Sequence, residues 1–478
     1  MTDKTPKYIT TTLPYVNADP HIGFGLEMVQ ADTLARYWRL MGREVFFNTG
    51  TDEHGQKIAQ KADEAGRDRQ EYADYYAGEF NRLKEALNLS YDNFIRTTDQ
   101  SHKVAAQHIW NLCNEAGDIY KKKYKGLYCV GCESFKVDSD LVEGKCPDHQ
   151  KAPEEVEEEN YFFKLSNYQS YLEEYLSTEG VIVPEWRRLE ALKFVQGGLE
   201  DLSISREVSR MDWGIPVPND EEQVMYVWFD ALTNYISTLG WPNDANGNFE
   251  KFWQAGETLQ LAGKDQVRFQ SIIWQAMLKS AGVKATDKIY YHGFINSGGT
   301  KMSKSLGNVI SPYELVDRYG TDATRYILLR HVHPFDDSDL TWEKMDEYYT
   351  ANLVNGLGNL TARIMKMAET HLDTPAPKPP HGFEEEYEKS LESYNFQSAC
   401  DFVWERITEL DEEIAEKEPF KMVKEDKSAA QEVIASLATR LYKIGCMLYP
   451  IMPGVNVIIK EAVLANQKPD NLFSRLPE

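Results

Sequence analysis

The chain has 478 residues, and since domains average roughly 100–200 residues, we expect about two to four of them. Apolar residues make up 42% of the sequence and aromatic residues 12%, a composition that excludes an intrinsically disordered chain. The net charge of −24 excludes a protein that coats nucleic acid through bulk positive charge. A local basic patch is compatible with that charge, because net charge does not describe an individual site.

Neither a membrane span nor a secretory signal is expected. The sequence has no stretch near the roughly 20 apolar residues that a membrane-spanning helix needs. Its first 8 residues contain no apolar region of the kind found in a secretory signal. Of the 6 cysteines, three stand apart and three lie between Cys129 and Cys146. This distribution favours a reducing cytoplasm and one metal site over a disulfide framework.

The first part of the chain has a pattern typical of a βαβ unit. A β-branched run at 8–13 predicts a strand, and apolar residues at helical spacing between Leu26 and Met41 predict a helix that ends at Gly42. The apolar run at 44–49 predicts a second strand. A crossover of this kind implies that the two strands are parallel.

The alternating α/β pattern stops between Gly117 and Met211. It returns at Tyr226–Trp228, Leu259–Ala262 and Ile289–Phe294, which we predict to be further strands. The fold class is therefore predicted as α/β, with a Rossmann-like, doubly wound parallel sheet. A connective insertion of roughly a hundred residues splits this sheet domain in sequence.

The last third of the chain is predicted to be helical. Apolar residues after about Asp346 recur at spacings typical of helices, a Pro-rich linker lies at Thr374–Pro380, and further helices are predicted over Trp404–Ile414 and Val433–Leu448. These elements indicate an all-α helix bundle. The predicted divisions of the chain are residues 1–116, 117–212, 213–310, 311–345 and 346–478.

The segment Leu13–Gly25 lies between the first strand and the first helix, where open α/β sheets bind ligands. A helix N-terminus favours phosphate, Gly23 and Gly25 allow a nucleotide close to the backbone, and His21 could donate to a phosphoryl oxygen. Met28 stands where a dinucleotide fingerprint has its third glycine, which weakens a nicotinamide or flavin interpretation. A tight turn with a capping histidine is the alternative.

The segment Gly298–Gly307 contains two glycines followed by Lys301 and Lys304. Small flanking residues predict a mobile loop, and two ammonium groups would neutralise a polyphosphate during phosphoryl or nucleotidyl transfer. The alternative is a solvated basic turn.

Three cysteines and a histidine have the spacing of a structural zinc site. Cys129 and Cys132 form one Cys-x-x-Cys pair, and Cys146 and His149 form a second pair after a short loop. Three thiolates and one imidazole would complete a tetrahedral shell, with no open position for catalysis. The alternative is that the cysteines are reduced core residues beside a surface histidine.

Two of these segments together resemble the signatures of class I aminoacyl-tRNA synthetases. They are the turn His21-Ile-Gly-Phe24 and the segment Lys301-Met-Ser-Lys-Ser305. Flanking motifs occur in the order and context of the methionyl-tRNA synthetase family: Leu13-Pro-Tyr15, Thr51-Asp-Glu-His-Gly55, Val227-Trp-Phe-Asp-Ala231 and Gly263-Lys-Asp265. The resemblance extends from Tyr8 to the C-terminus.

The resemblance implies a two-step reaction. Methionine would attack ATP to give methionyl-adenylate and pyrophosphate, and the terminal ribose of a methionine tRNA would then accept the methionyl group. Magnesium would share the charge of the ATP phosphates. The implied catalytic residues are His21, Lys301 and Lys304, and the implied ATP-binding residues are His21, Gly23, Gly263, Asp265, Ile295, Lys301 and Lys304.

For methionine, the resemblance and the position after the second strand make Asp52 the partner of the ammonium group. The implied side-chain pocket comprises Leu13, Tyr15, Trp228, Ala231, Tyr235 and Gln270. Aromatic rings suit a thioether, although ordinary core packing is the alternative for Trp228 and Tyr235. Gln270 and Phe24 depart from the family, which commonly has histidine at both places.

The C-terminal bundle is expected to bind the anticodon. Asn359 and Arg363 share one helix face, and Phe420 follows a proline where the family has a stacking tryptophan. Residues 311–345 resemble the segment that contacts the tRNA stem. No further domain follows the bundle in this sequence, so we expect a monomer. The structural zinc would belong to a knuckle in the connective insertion.

Two other functions are compatible with the sequence. One is a ligase of the same fold for a different amino acid, which the departures at Phe24, Gln270 and Phe420 allow. The other is a catalytically silent RNA-binding paralogue. His21, Asp52 and the lysines argue against the second, because a silent copy has no reason to keep them.

Overall fold

The computed structural model describes residues 5–129, 134–136, 140–147, 150–302, 308–380 and 382–477. The backbone forms two compact units. The first comprises Met1–Pro20, Gly42–Arg82 and Tyr91–Tyr291, and the second comprises His21–Met41, Leu83–Ser90 and His292–Glu478. These units reflect packing and not function, so the five divisions given above stay predictions.

Within the described residues the strands are β1 (Lys7–Thr10), β2 (Val45–Thr51), β3 (Asn93–Arg96), β4 (Ile119–Cys129), β5 (Ser134–Lys136), β6 (Glu154–Phe163), β7 (Ile182–Val183), β8 (Leu202–Ser203), β9 (Ser205–Glu207), β10 (Pro216–Val217), β11 (Asp220–Met225), β12 (Glu257–Gly263), β13 (Lys288–His292), β14 (Ile295–Ser297), β15 (Thr300–Lys301) and β16 (Ser338–Asp339).

The α-helices of the described residues are α1 (Ile22–Leu40), α2 (Gln56–Glu64), α3 (Arg69–Ala86), α4 (Gln100–Glu115), α5 (Gln169–Ser177), α6 (Glu185–Gln196), α7 (Val227–Ala231), α8 (Asn234–Ser237), α9 (Trp274–Ser280), α10 (Pro312–Tyr319), α11 (Thr321–Arg330), α12 (Trp342–Tyr348), α13 (Asn359–His371), α14 (Glu385–Glu392), α15 (Phe396–Lys417), α16 (Pro419–Met422), α17 (Lys427–Leu448) and α18 (Pro453–Ala465). Short 3₁₀ turns occupy Leu165–Tyr168 and Lys264–Gln266, and π-helical turns occupy Phe249–Gln254, Phe269–Ile273 and Tyr349–Gly358.

The first unit is built on a six-stranded sheet in the order β3-β2-β1-β12-β13-β7. Strand β1 pairs in parallel with β2 and with β12, and β2 pairs in parallel with β3. Every residue of β1 is buried, which is typical of a central strand in a sheet covered on both faces. The parallel sheet predicted from the βαβ pattern is confirmed.

The connective segment forms a second, antiparallel sheet in the order β5-β4-β6-β8. In its long β4–β6 pair, lysines of β4 lie opposite glutamates of β6: Lys123 pairs with Glu159, and Lys125 pairs with Glu157. The short strand β7 lies within this segment, yet it pairs with β13 at the edge of the parallel sheet.

The prediction of a strand at Tyr226–Trp228 is wrong. Strand β11 ends at Met225, Tyr226 is the N-cap of α7, and Trp228 lies inside that helix. A three-residue apolar run has no periodicity of its own, so it does not distinguish a strand from the first turn of a helix.

In the second unit, α1 is buried on nearly all sides, with 15 of its 19 residues buried. Its interior charges are paired. Asp32 forms ion pairs with Arg36 and Arg325, each at 2.7 Å, and accepts hydrogen bonds from Ser90. The Arg325 guanidinium also donates to the backbone oxygens of Pro450 and Ile451.

The helical C-terminal part is confirmed. Helix α17 packs against α13, α15 and α18, and the predicted linker at Thr374–Pro380 lies between α13 and α14. At the start of α18, Asp322 accepts from the backbone N–H groups of Gly454 and Val455 at 3.2 and 2.6 Å. No helix in the described part of the chain has the length and apolar character needed to span a membrane.

Candidate active site

The backbone beyond the carboxyl ends of β1 and β2 places Asp52 next to Tyr15. These two residues form an isolated parallel bridge, in which the Asp52 N–H donates to the Pro14 oxygen and the Val16 N–H donates to the Asp52 oxygen. The bridge extends the pairing of the two strands past the sheet. It fixes a carboxylate that is only 2% exposed at the position where α/β sheets bind ligands.

The next residue, Glu53, is fully buried, and hydrogen bonds hold both its side chain and its backbone. Arg96 binds it with two hydrogen bonds of 2.6 and 2.8 Å, and the hydroxyl groups of Thr51 and Thr98 donate to its carboxylate. The indole N–H of Trp213 donates to the Glu53 backbone oxygen. The short segment that carries Asp52 is therefore rigid.

His54, the third residue of this run, is 2.7 Å through its Nδ1 from a carboxylate oxygen of Asp230. Asp230 is on α7, between the predicted pocket residues Trp228 and Ala231. Its other oxygen is 2.8 Å from Nε2 of His102 on α4. Glu53, His54, His102 and Asp230 were not predicted as site residues, although Glu53 and His54 lie in the motif Thr51–Gly55 and Asp230 lies in the motif Val227–Ala231.

Aromatic rings line one side of the same region. Trp228 stacks on Phe269 with ring centroids 3.8 Å apart and an interplanar angle of 17°, and Tyr15 contacts Trp228 edge-on at 6.1 Å. Within the described residues, nothing accepts a hydrogen bond from the buried Trp228 Nε1. The prediction missed Phe269, which shares the π-helical turn with Gln270.

Gln270 is 1% exposed and donates from Nε2 to the Tyr235 hydroxyl at 2.8 Å. Tyr235 is itself anchored, because its backbone oxygen accepts from the Tyr8 hydroxyl at 2.8 Å. No described residue donates to the buried Oε1 of Gln270. An unpaired buried acceptor is costly, and π-helical turns are frequent at functional sites.

The structure thus links Asp52, Tyr15, Trp228, Gln270 and Tyr235 through a bridge, ring contacts and a hydrogen bond. Other predicted residues of this unit are placed as follows: Leu13 and Ala231 are buried, Gly263 ends β12, and Asp265 is exposed in the turn that follows. The Asp265 carboxylate accepts from the Gln266 amide at 2.7 Å.

In the second unit, His21 is the N-cap of α1 and its Nδ1 accepts from the Gly23 N–H at 3.1 Å. An accepting Nδ1 puts the proton of the neutral imidazole on Nε2, which makes Nε2 a donor. The expectation that the N-terminus of this helix offers free N–H groups to phosphate needs correction. The Ile22 N–H donates to the Ile310 oxygen, and the Gly23 N–H donates to Nδ1 of His21.

Phe24 stacks on the His21 ring, with centroids 4.3 Å apart and an interplanar angle of 29°. Gly23 is required by the same arrangement, because a Cβ there would lie 2.9 Å from Cε1 of His21. Phe24, which stands where the family commonly has histidine, therefore orients His21, which matches the family pattern.

Gly298 and Gly299, at the start of the predicted mobile loop, both have positive φ and join β14 to β15 in a tight hairpin. Residues 303–307 of that loop lie outside the described residues. The Gly299 N–H donates to Asp339 at 2.7 Å, which with Lys344 holds the pKa of that carboxyl below its usual value. Ile295 on β14 is 4% exposed, the Lys301 backbone belongs to β15, and Lys304 lies outside the described residues.

Of the four predicted zinc ligands, Cys129 and Cys146 are described and buried, whereas Cys132 and His149 lie outside the described residues. The described part of the chain contains no group of three or more His, Cys, Asp or Glu residues arranged to hold a metal ion. Cys146 follows a tight turn closed by hydrogen bonds between Val142 and Lys145. Its own oxygen accepts from the Gln150 N–H at 2.8 Å.

The predicted anticodon residues lie on the C-terminal helices. Asn359 is exposed at the start of α13, and Arg363, one turn later, forms an ion pair with Asp411 of α15. Phe420 on α16 is 46% exposed, with the Lys421 ammonium 5.9 Å from its ring centroid. An exposed ring beside a cation can stack on an unpaired base.

Comparison with known proteins identifies the family of the chain. The family model described as tRNA synthetases class I (M) matches residues 7–155 and 149–365. The methionine–tRNA ligase of Thermotoga maritima is 40% identical over 97% of this chain and 76% of its own length. That of Rhizobium meliloti is 40% identical over 95% of this chain and 90% of its own.

A solved structure shows the same fold. Mycobacterium tuberculosis methionyl-tRNA synthetase in complex with methionyl-adenylate superimposes with a TM-score of 0.89 at 34% identity, covering 99% of this chain and 98% of that one. Given this identity and coverage, the chain belongs to the methionyl-tRNA synthetases, the class I ATP-dependent ligases that join methionine to its tRNA.

Proposed function

We propose that Asp52 binds the ammonium group of methionine and that the rings of Tyr15, Trp228 and Phe269 enclose its thioether side chain. The observation that carries this proposal is the position of Asp52, a buried carboxylate at the strand ends, bridged to Tyr15 and through it to the Trp228–Phe269 stack. Contacts between sulfur and aromatic rings are each worth roughly 0.3–1.5 kcal/mol. Tyr235 and Gln270 close the pocket with polar groups, and Leu13 and Ala231 add apolar surface.

In the first step, a carboxylate oxygen of methionine attacks the α-phosphorus of ATP, and the bond to the pyrophosphate oxygen breaks. The carboxylate is already a nucleophile, so the chain needs to position charges and has no need of a strong general base. His21 donates from Nε2 to the phosphates, Lys301 and Lys304 neutralise them, and Mg²⁺ accompanies the ATP. Gly23, Gly263, Asp265 and Ile295 are assigned to the adenosine and its phosphates.

In the second step, a ribose hydroxyl of the terminal adenosine of a methionine tRNA attacks the methionyl carbonyl, and AMP leaves. Asn359, Arg363 and Phe420 are proposed to bind the anticodon. Hydrogen-bonding groups and an exposed ring on neighbouring helices suit unstacked bases.

We also propose a structural zinc ion held by Cys129, Cys132, Cys146 and His149. The two described ligands fit it, because both are buried thiols and Cys146 follows a tight turn. Zinc would cross-link the end of β4 to the segment that carries Cys146 and take no part in the chemistry.

We also propose that the protein is a monomer in a reducing cytoplasm. The reducing compartment is supported by the five described cysteines, which form no disulfide among themselves. Light scattering at micromolar concentration would measure the mass and test the monomeric state.

ATP–pyrophosphate exchange without tRNA, run separately with each of the twenty amino acids, tests the proposed pocket. We expect exchange with methionine alone. Exchange with a different amino acid would keep the fold and overturn the pocket assignment. Absence of exchange with all twenty, in folded protein, would favour the silent RNA-binding alternative.

A further inference from the structure

One buried charge cluster of the first unit has no place in the chemistry described so far. Asp230 is fully buried, with one carboxylate oxygen 2.7 Å from Nδ1 of His54 and the other 2.8 Å from Nε2 of His102. Nδ1 of His102 is 2.9 Å from the hydroxyl of Ser237. We call His54, Asp230, His102 and Ser237 the Asp230 cluster.

Placing an ionised carboxylate in the core is unfavourable unless its oxygens are paired. Burial alone would raise the pKa of Asp230, yet the interactions with His54 and His102 outweigh burial and hold it below the usual value. Asp230 is therefore a charged acceptor at physiological pH, and each imidazole donates one N–H to it. Such charge-assisted hydrogen bonds are shorter and stronger than neutral ones.

The cluster joins three parts of the chain that each carry a residue proposed to contact methionine. His54 is two residues after Asp52. Asp230 lies between Trp228 and Ala231 on α7, and Ser237 is two residues after Tyr235 on α8. His102 on α4 joins Asp230 to Ser237, and His54 joins Asp230 to the segment that carries Asp52.

We propose that Asp230 is a positioning residue for methionine. Through His54 and His102 it sets the distance between the Asp52 carboxylate and the pocket side chains Trp228 and Tyr235. This proposal rests on the assignment of Asp52, Trp228 and Tyr235 to methionine. A displacement of about 1 Å at a binding group can cost roughly a hundredfold in rate. Among the described residues, no side chain of the cluster hydrogen-bonds to a residue proposed to bind ATP. The loss should therefore appear in methionine binding and not in ATP binding.

Paired substitutions of His102 test the proposal, because His102 is not expected to touch a substrate. His102→Leu removes the N–H that reaches Asp230, whereas His102→Gln retains a donor of similar reach. In ATP–pyrophosphate exchange with the full chain, we expect His102→Leu to raise the KM for methionine about tenfold and to leave the KM for ATP within about twofold. His102→Gln should stay within about threefold of the wild-type KM for methionine.

Ser237→Ala is a milder second variant in case His102→Leu does not fold. It removes the outermost hydrogen bond of the cluster and should raise the KM for methionine about two- to fivefold, again without changing the KM for ATP. Equal changes in both KM values, or equal effects of His102→Leu and His102→Gln, would assign the cluster to stability alone and overturn the proposal.

Asp52→Asn separates the positioning role of Asp230 from the assignment of Asp52 to the methionine ammonium group. If Asp52 binds the ammonium group, this variant raises the KM for methionine more than any variant of the cluster. An unchanged KM for methionine in Asp52→Asn would overturn both the assignment and the positioning role. A raised KM in Asp52→Asn with no selective effect of His102→Leu or Ser237→Ala would overturn the positioning role alone.

Discussion

His21 shows how much one side chain depends on its immediate neighbours. Its Nδ1 caps α1 through the Gly23 N–H, and its ring stacks on Phe24. Both contacts orient Nε2, the nitrogen proposed to donate to phosphate. A helix-capping role and a phosphate-binding role are therefore compatible for this histidine, because the cap at Nδ1 leaves Nε2 protonated and oriented.

A methyl group at Gly23 should disable the site. In Gly23→Ala the new Cβ would lie 2.9 Å from Cε1 of His21, so the ring must turn away from its cap. We expect ATP–pyrophosphate exchange to fall roughly a hundredfold, the order of loss seen when a phosphate- or oxyanion-stabilising donor is removed.

Gly78→Ala is the matched control, since a Cβ at Gly78 on α3 meets nothing within 4 Å. It should leave exchange unchanged and add about 0.5–1 kcal/mol of helix stability. If Gly23→Ala retained full activity, the orientation of His21 would have no part in ATP binding.

Asp52 could be predicted from the sequence because it follows a recognisable strand, and strand ends carry ligand sites. The residues around it could not. Glu53 is held by Arg96, 43 positions away, and His54 by Asp230, 176 positions away. Partners at such separations leave no local periodicity, so the rigidity of this segment is visible only in the fold.

At the scale of elements, helix α1 depends on the buried charges of Asp32 and Arg325. Replacing Arg325 with Met removes hydrogen bonds to Pro450 and Ile451 and leaves Asp32 with one fewer cation. We expect a loss of about 3–5 kcal/mol in the free energy of unfolding, measured in urea.

Arg318→Met is the control for this loss. Arg318 pairs with Asp346 on the surface, where an ion pair contributes about 0–1 kcal/mol. Similar losses in both variants would contradict a special role for the buried pair.

The same cluster predicts how stability depends on pH. Burial alone would raise the pKa of Asp32, but the charges of Arg325 and Arg36 outweigh it and hold the pKa below its usual value. A carboxylate with a lower pKa in the folded state stabilises fully above its unfolded pKa of about 3.9 and progressively less as the pH falls. Urea unfolding should show the stability gap between wild type and Asp32→Asn narrowing below about pH 4. A gap that stayed constant would be inconsistent with the lowered pKa.

Elemental analysis can detect the proposed zinc ion. Cys146→Ser should abolish binding of about one zinc per chain, because a tetrahedral site needs all four ligands. Cys446→Ser, a cysteine on α17 far along the chain, should retain the metal. Wild-type protein purified without chelator and lacking zinc would rule the site out.

Long elements with a clear period were predicted well, and so were the strands that became β12 and β13, whereas elements of two or three residues were not. The burial of α1 and the helices around Trp404 and Val433 follow from repeated apolar spacing over several turns. Strand β7 has two residues, and its partner β13 lies more than a hundred positions away, so nothing in Ile182-Val183 distinguishes it from a loop. The hairpin turn at Gly298–Gly299 was not predicted, because glycines favour tight turns as readily as flexible loops.

At the scale of the whole molecule, a chain with a net charge of −24 must bind a polyanion through a local basic surface. Each phosphate contact releases counterions, so we expect the logarithm of the Kd for tRNA to rise linearly with the logarithm of salt concentration. The slope should be about 0.9 per duplex phosphate contact, measured by filter binding or anisotropy. An affinity independent of salt would contradict binding through phosphates.

Anticodon recognition should be separable from activation. Phe420→Ala removes a stacking surface worth about 1–3 kcal/mol per base, so the KM for tRNA in aminoacylation should rise roughly 5- to 150-fold. ATP–pyrophosphate exchange, which needs no tRNA, should not change. Phe402→Ala, a change to a buried ring of α15, is the contrasting variant, because it should lower stability before it affects tRNA selectively. A parallel fall in exchange for Phe420→Ala would argue against a role confined to the anticodon.

The interleaving of the two compact units has a consequence for synthesis on the ribosome. Helix α1 emerges among the first forty residues, but the bulk of its own unit, beginning at His292, is translated about 250 residues later. At about 5–20 residues per second, this nearly all-buried helix waits roughly 12–50 s for its partners. Nascent chains halted before His292 should therefore expose α1 to proteases and chaperones, and a truncation at that point would not release a self-sufficient first half.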